Sequence, residues 1–258
     1  MARPKILVTN DDSITAPGIR NLMEVATEFG DVTVVAPDSP QSGMGHAISI
    51  GRPLRLYRKD LRVDVEAWAC SGTPADCVKL ARAEIFHEAP DFILSGINHG
   101  ANSSISVLYS GTMSAAMEGA IENIPSIGFS LANFSEAADF TASREVVRRV
   151  MRQVLDKPWP LRTALNVNIP NVGASELKGI KVARQSHGRF VEEFDKRTDP
   201  YSRPYYWLTG SFELDDKGAD TDTYALEQGY ASIVPCQVDL TNHALLDTLR
   251  GWSLEVGL

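Results

Sequence analysis

Two adjacent carboxylates, Asp11 and Asp12, follow the apolar run Ile6-Leu7-Val8-Thr9 and the polar Asn10. Side by side they repel each other unless a cation lies between them, and hard oxygen ligands of this kind suit Mg²⁺, Mn²⁺ or Ca²⁺. A turn-forming Asp pair ahead of a helix would have the same sequence. Gln41-Ser42-Gly43 and Ser95-Gly96-Ile97-Asn98-His99-Gly100 supply hydroxyl, amide and backbone oxygens. Such groups complete a metal shell without adding charge that would oppose a phosphate, although turn chemistry alone also explains them. Ser110-Gly111-Thr112, just before a helical segment beginning near Ser114, has the makings of an anion cradle: amides and hydroxyls at the positive end of a helix dipole. It reads equally as a simple helix cap.

The five histidines, His46, His87, His99, His187 and His243, show no HxH or HxxxH metal spacing. Only His99 falls in a candidate loop, where it reads as a bystander. The chain has no GxSxG elbow, no Walker lysine and no GxGxxG turn, which counts against a serine hydrolase, an NTPase and a dinucleotide enzyme.

The elements that must position these groups alternate. Lys5 to Thr9 reads as a strand, Pro17-Gly18 opens a helix with Ile19, Leu22, Met23 and Ala26 on one face, and Val32 to Ala36 reads as a second strand. The order recurs with Phe92-Ile93-Leu94, a helix from Ser114 to Ile121, and Ser126 to Phe129. This is a parallel sheet with crossover helices, and ligands bind outside the carboxyl ends of such strands. Ile48 to Tyr57 and Leu61 to Ala69 read as paired extended segments, and Pro74 to Ile85 as a helix capped by Thr73. After Asn168-Ile169-Pro170 short strands are expected at Lys181 to Arg184, Tyr205 to Leu208 and Ala231 to Val234. The polar stretches Glu192 to Pro204 and Glu213 to Thr223 are expected as connections, longer than ordinary loops.

With 258 residues, 43% hydrophobic and 22% charged, the chain can bury a sizeable core. A net charge of −8 disfavours binding to nucleic acid or to an anionic membrane, while a bound metal can still invert the local field for a small phosphorylated ligand. Cys70, Cys77 and Cys236 fit neither a disulfide framework nor a zinc site and are expected as buried free thiols. A short basic N-terminus running straight into the first strand, with no apolar segment of bilayer length, points to the cytoplasm.

Taken in order, these loops resemble the SurE (survival protein E) family of nucleotidases. The matching stretches are residues 6–12, Val35-Ala36-Pro37-Asp38 with Ser42-Gly43, Gly72 to Val78, Ser95 to Asn98, Tyr109 to Thr112 with Ala115-Ala116-Met117-Glu118-Gly119, and Glu227 to Pro235. The resemblance implies a Rossmann-like core over residues 1–170 and a β-rich extension with a terminal helix over 171–258, used in assembly, the two making one integrated domain. It implies one divalent cation per subunit, Mg²⁺ or Mn²⁺, on Asp11, Asp12, Ser42 and Asn98, with Asp11 and Asp12 catalytic. Asn10, Gly43, Asn98, Ser110, Gly111 and Thr112 would surround the phosphate. The implied activity is hydrolysis of nucleoside 5′- or 3′-monophosphates, with short polyphosphate as a side substrate, in a homodimer or homotetramer.

Three positions depart from the family pattern: Ser13 and Ser104 stand where Gly is usual, and Ser106 where Asp is usual. Gly tolerates backbone angles that Ser resists, so the turn after the acids is altered. Two other readings stay open on the sequence. One is an aspartyl-phosphate phosphatase with Asp11 as nucleophile; the other is a non-catalytic nucleotide-binding regulator.

Overall fold

The computed structural model describes residues 3–252 and 254. Its centre is a nine-stranded sheet in the order β3-β4-β2-β1-β5-β6-β7-β11-β8. The strands are β1 (Lys5–Thr9), β2 (Asp31–Pro37), β3 (Leu56–Arg58), β4 (Glu66–Cys70), β5 (Phe92–His99), β6 (Ser126–Leu131), β7 (Thr163–Ile169), β8 (Ile180–Val182) and β11 (Ala231–Gln237). From β4 to β7 all neighbours are parallel. β3 is antiparallel to β4 and β11 to β7, with β8 parallel to β11.

The central strands are apolar on both faces because helices cover both. Ile6 and Val8 of β1 pack with α1 (Pro17–Ala26) and α4 (Thr141–Val154) on one face. Leu7 packs with α2 (Pro74–Leu80) and α3 (Gly111–Ile121) on the other. Pro17 opens α1, where its missing N–H leaves no bond unmade. Thr73 caps α2 as expected, in a reciprocal capping box with Asp76.

β1 lies at the switch point of the sheet: the chain leaves it for β2 on one side, and its other neighbour is β5. The crevice between the carboxyl ends of such a pair is where open α/β sheets bind ligands. α1 is seated tightly on β5 there. A Cβ at Gly18 would lie 1.9 Å from the Ile97 carbonyl oxygen, so only glycine lets the helix approach this closely.

Several expectations are corrected. Glu192 to Pro204 is not a connection: its first part lies in β9 (Gly188–Thr198), which pairs antiparallel with β10 (Pro204–Leu214) over eleven residue pairs, leaving 199–203 as the turn. The stretch 213–223 runs from the end of β10 into α5 (Asp222–Glu227). Of Ile48 to Tyr57 only Leu56 and Tyr57 enter a strand, and the regular helix from Pro74 ends at Leu80, giving way to a wider turn over Ala81–Phe86. The chain after residue 170 returns to the main sheet through β8 and β11. Cys70 and Cys77 are buried free thiols, while Cys236 is half-buried.

Candidate active site

Asp11 and Asp12 leave the end of β1 in different directions and meet different partners. Asp11 is almost fully buried, and its Oδ1 accepts a 2.5 Å hydrogen bond from the Thr112 hydroxyl. Burial pushes its carboxyl up to about 6; the Thr112 hydroxyl and backbone amide pull it down, and the charge of Asp12 raises it further. Asp12 Oδ2 accepts from the His99 backbone amide at 3.1 Å and lies 3.2 Å from His99 Nδ1. The His99 ring stands edge-on to Phe140, which fixes its plane. Sequence reasoning placed His99 in a candidate loop but took it for a bystander; its adjacency to Asn98 in the loop after the predicted strand Phe92-Ile93-Leu94 was the available signal.

The turn after the acids is not altered as expected: it keeps the backbone that glycine favours, with Ser13 strained within it. Ser13 sits at φ +92°, where glycine is at ease and serine is strained. It is held there by Asn10 Nδ2, which donates to the Ser13 carbonyl at 2.8 Å, and by a 3.1 Å contact between the Ser13 and Thr15 hydroxyls. Ser104 likewise has φ +54°, compensated by its hydroxyl donating to the Ser186 carbonyl and its amide to Asp222. Ser106 lies in the 3₁₀ turn Ser104–Tyr109 that leads to α3.

Ser110 is the N-cap of α3, its Oγ accepting from the Met113 amide at 3.0 Å. Gly111 and Thr112 therefore form the first turn, earlier than the expected start near Ser114. A Cβ at Gly111 would lie 2.6 Å from the Asp11 Cβ, so the helix start presses directly against the acid. Asn98 is buried at the end of β5, its Nδ2 donating to the Gly100 carbonyl at 2.8 Å. Ser42 and Gly43 are exposed on the loop after β2, which is tied in by the Gln41 amide donating to the Asp11 carbonyl at 2.8 Å.

The structure thus joins Asp11 to Gly111 and Thr112, joins Asp12 to His99, the chain neighbour of Asn98, and places Ser42 next to the Gln41 amide that bonds the Asp11 carbonyl. Among the described residues neither acid is paired with Lys or Arg. Two adjoining carboxylates in that setting suit a hard cation. No three His, Cys, Asp or Glu side chains gather into a metal-holding cluster among the described residues, so a cation here would take its other ligands from neutral oxygens such as Ser42 and Asn98. Among the described residues the buried Asn10 Oδ1 has no hydrogen-bond partner, a polar atom left over beside the acids. An apolar groove of about 550 Å³ lies elsewhere, between α3 and β11, and contains none of these acids.

A sequence profile of the family described as Survival protein SurE matches residues 6–192. The 5′-nucleotidase SurE of Christiangramia forsetii is 57% identical over 255 residues, 98% of each chain. That of Cytophaga hutchinsonii is 56% identical over 254 residues, again 98% of each. The crystal structure of the SurE protein from Aquifex aeolicus superposes with a TM-score of 0.83 at 40% identity, covering 97% of this chain and all of that one.

Proposed function

The chain belongs to the SurE family, and we propose that it is a metal-dependent phosphatase that hydrolyses nucleoside 5′-monophosphates, and 3′-monophosphates as well, to nucleoside and inorganic phosphate. The observation that carries this reading is the seating of the α3 N-terminus on Asp11, which puts an anion-binding helix end and a cation-binding carboxylate side by side. A phosphomonoester needs both.

Asp11, Asp12, Ser42 and Asn98 would hold one Mg²⁺ or Mn²⁺, which supplies polarisation of a phosphoryl oxygen and a lowered pKa for a bound water. The remaining work falls to the chain. Amides and hydroxyls at Gly43, Ser110, Gly111 and Thr112, with Asn10 and Asn98 beside them, stabilise charge on the phosphoryl oxygens as the bond to the leaving group loosens. Asp12, fixed by His99, orients the attacking water. Asp11 is poorly placed as a covalent nucleophile, because its Oδ1 is bound by Thr112 and its side chain is buried. That disfavours the aspartyl-phosphate route.

The assembly is a homodimer or homotetramer formed through the β9–β10 hairpin. Both faces of that hairpin carry exposed Phe194, Tyr206, Trp207 and Leu208, and a two-stranded ribbon with no supporting layer is marginal in water. Among the described residues no helix is long and apolar enough to cross a membrane.

The test is release of inorganic phosphate from a panel of nucleoside monophosphates and short polyphosphate. Steady turnover, abolished by a chelator and restored by Mg²⁺ or Mn²⁺, is the expected result. Tight binding of nucleotide without turnover would make the chain a nucleotide-binding regulator instead.

A further inference from the structure

The loop that carries Ser42 and Gly43 has no helix or strand of its own between β2 and β3, so its position depends on its tethers. On one side is the Gln41 amide on the Asp11 carbonyl. On the other, the Gly45 amide donates to the Tyr109 carbonyl at 3.2 Å and His46 Nε2 lies 3.0 Å from Glu118 Oε2. Beyond these, the Thr73 hydroxyl donates to the Ala47 carbonyl at 2.7 Å.

Glu118 lies on α3, the helix whose first turn meets Asp11, and its side chain is only 3% exposed. Its other oxygen, Oε1, accepts from Lys79 Nζ of α2 at 2.5 Å. Burial works against its ionisation, but the bonds from His46 and Lys79 prevail and hold the carboxyl below its usual range. A buried ionised group of this kind is a poor means of gaining stability, since apolar replacements of similar volume often do as well or better. Its geometry does something an apolar residue would not: it gives the loop a directional bond to the helix that presses on the acids.

We propose that Glu118 is a positioning residue, which through His46 fixes the Ser42–Gly43 span relative to Asp11 and the first turn of α3 and so sets the affinity of the site for a divalent cation. This rests on the assignment of Ser42 as a ligand in the proposed function. Lys79 balances the charge of Glu118 and, among the described residues, makes no hydrogen bond to the loop, so the two donors can be separated by experiment.

The experiment is titration calorimetry of Mn²⁺ into the full-length, nucleotide-free protein, with thermal unfolding in chelator as the measure of folding. His46 is part-exposed, so His46→Ala opens no cavity; it does unpair Glu118 Oε2, and the melting temperature in chelator shows that the protein titrated is folded. The expected loss of Mn²⁺ affinity is about tenfold, the scale seen when a ligand loses its supporting partner. His46→Gln, which keeps an N–H donor of similar reach, restores most of it, whereas Lys79→Met stays within about twofold of the parent because its loop tether is intact. Parent-like affinity in His46→Ala, or an equal loss in Lys79→Met, overturns the proposal while leaving the metal site standing. A parent that binds no Mn²⁺ overturns the metal assignment itself, and this inference with it.

Discussion

Asp11 and Asp12 differ in what each gives up when it is changed. Asp11→Asn keeps shape and the Thr112 contact but removes charge from the buried acid; Asp12→Asn leaves the His99 bonds facing a neutral amide. Each variant is expected to lose at least about 100-fold in turnover, or roughly 2.7 kcal/mol of transition-state stabilisation. Phosphate release at saturating Mg²⁺ checks this, and near-parent activity in either would remove that acid from the mechanism.

The raised pKa of Asp11 also has a sign that can be measured. Its folded value of about 6 exceeds the ordinary 3.8, so between these pH values the metal-free native state binds more protons than the unfolded chain. Stability from this group is full below about pH 4 and is lost as pH rises through 6, by about 3 kcal/mol in all. Urea unfolding in chelator should show the parent losing ground to Asp11→Asn between pH 4 and 7, with Mn²⁺ closing the gap at the upper end. A pH-independent difference between the two proteins would refute it.

Ser13 offers a third test at this scale. Its positive φ costs roughly 1–2 kcal/mol, and glycine would relieve that while losing about 0.4–1 kcal/mol to unfolded-state entropy. Ser13→Gly is expected to be more stable by up to about 1 kcal/mol with activity retained; a clear loss of stability in chemical denaturation would show that the hydroxyl pair with Thr15 outweighs the strain.

Among the elements, α1 and β5 are joined most intolerantly. Because a Cβ at Gly18 would overlap the Ile97 carbonyl, Gly18→Ala must displace either the helix or the strand end that carries Asn98. A stability loss of about 1–3 kcal/mol is expected from such overpacking, together with weaker Mn²⁺ binding. Unchanged calorimetric affinity would mean that the helix moves and the strand does not. The elements bearing the chemistry were the legible ones. Ile6-Leu7-Val8 and Phe92-Ile93-Leu94 are continuous apolar runs ending at polar residues, and Thr73 with Asp76 spells a cap. α4 has an equally plain helical spacing at Val146, Val147, Val150 and Met151, but it holds no reactive group, and a reading led by the motif loops does not reach it. β9, and all of β10 beyond the expected Tyr205 to Leu208, were hidden for a different reason. A strand advertises itself by alternating burial, and almost every residue of this hairpin faces solvent in the single chain. Within the site, the Asp12–His99 and Asp11–Thr112 bonds join residues 87 and 101 positions apart, which spacing in one sequence cannot reveal.

At the scale of the whole molecule, the hairpin is an apolar surface without a core of its own. Trp207 is 59% and Leu208 65% exposed, and Phe194 is 67% exposed; patches of this kind mark sites of association. The protein is expected to sediment as a dimer or tetramer at micromolar concentration. Replacing Phe194, Trp207 and Leu208 together by Ser should shift it toward monomer with the main sheet intact by circular dichroism. A monomeric parent would leave the exposed ribbon without a function in assembly.

The bond between Thr112 and Asp11 closes a loop of 101 residues, and that between Ser104 and Asp222 one of 118. Closure at such separations is slow relative to local helix formation. On a ribosome this orders events. The N-terminal third of the chain can form β1, α1 and β2 as it emerges, but it carries an acid pair with no helix end opposite it. The segment leading into that helix gains its tether to Asp222 only when residue 222 has been made. The site is therefore expected to gain its full set of tethers late in synthesis, and a prematurely terminated product lacking the last forty residues would keep its acids in place but lose the Ser104–Asp222 bond on the approach to α3.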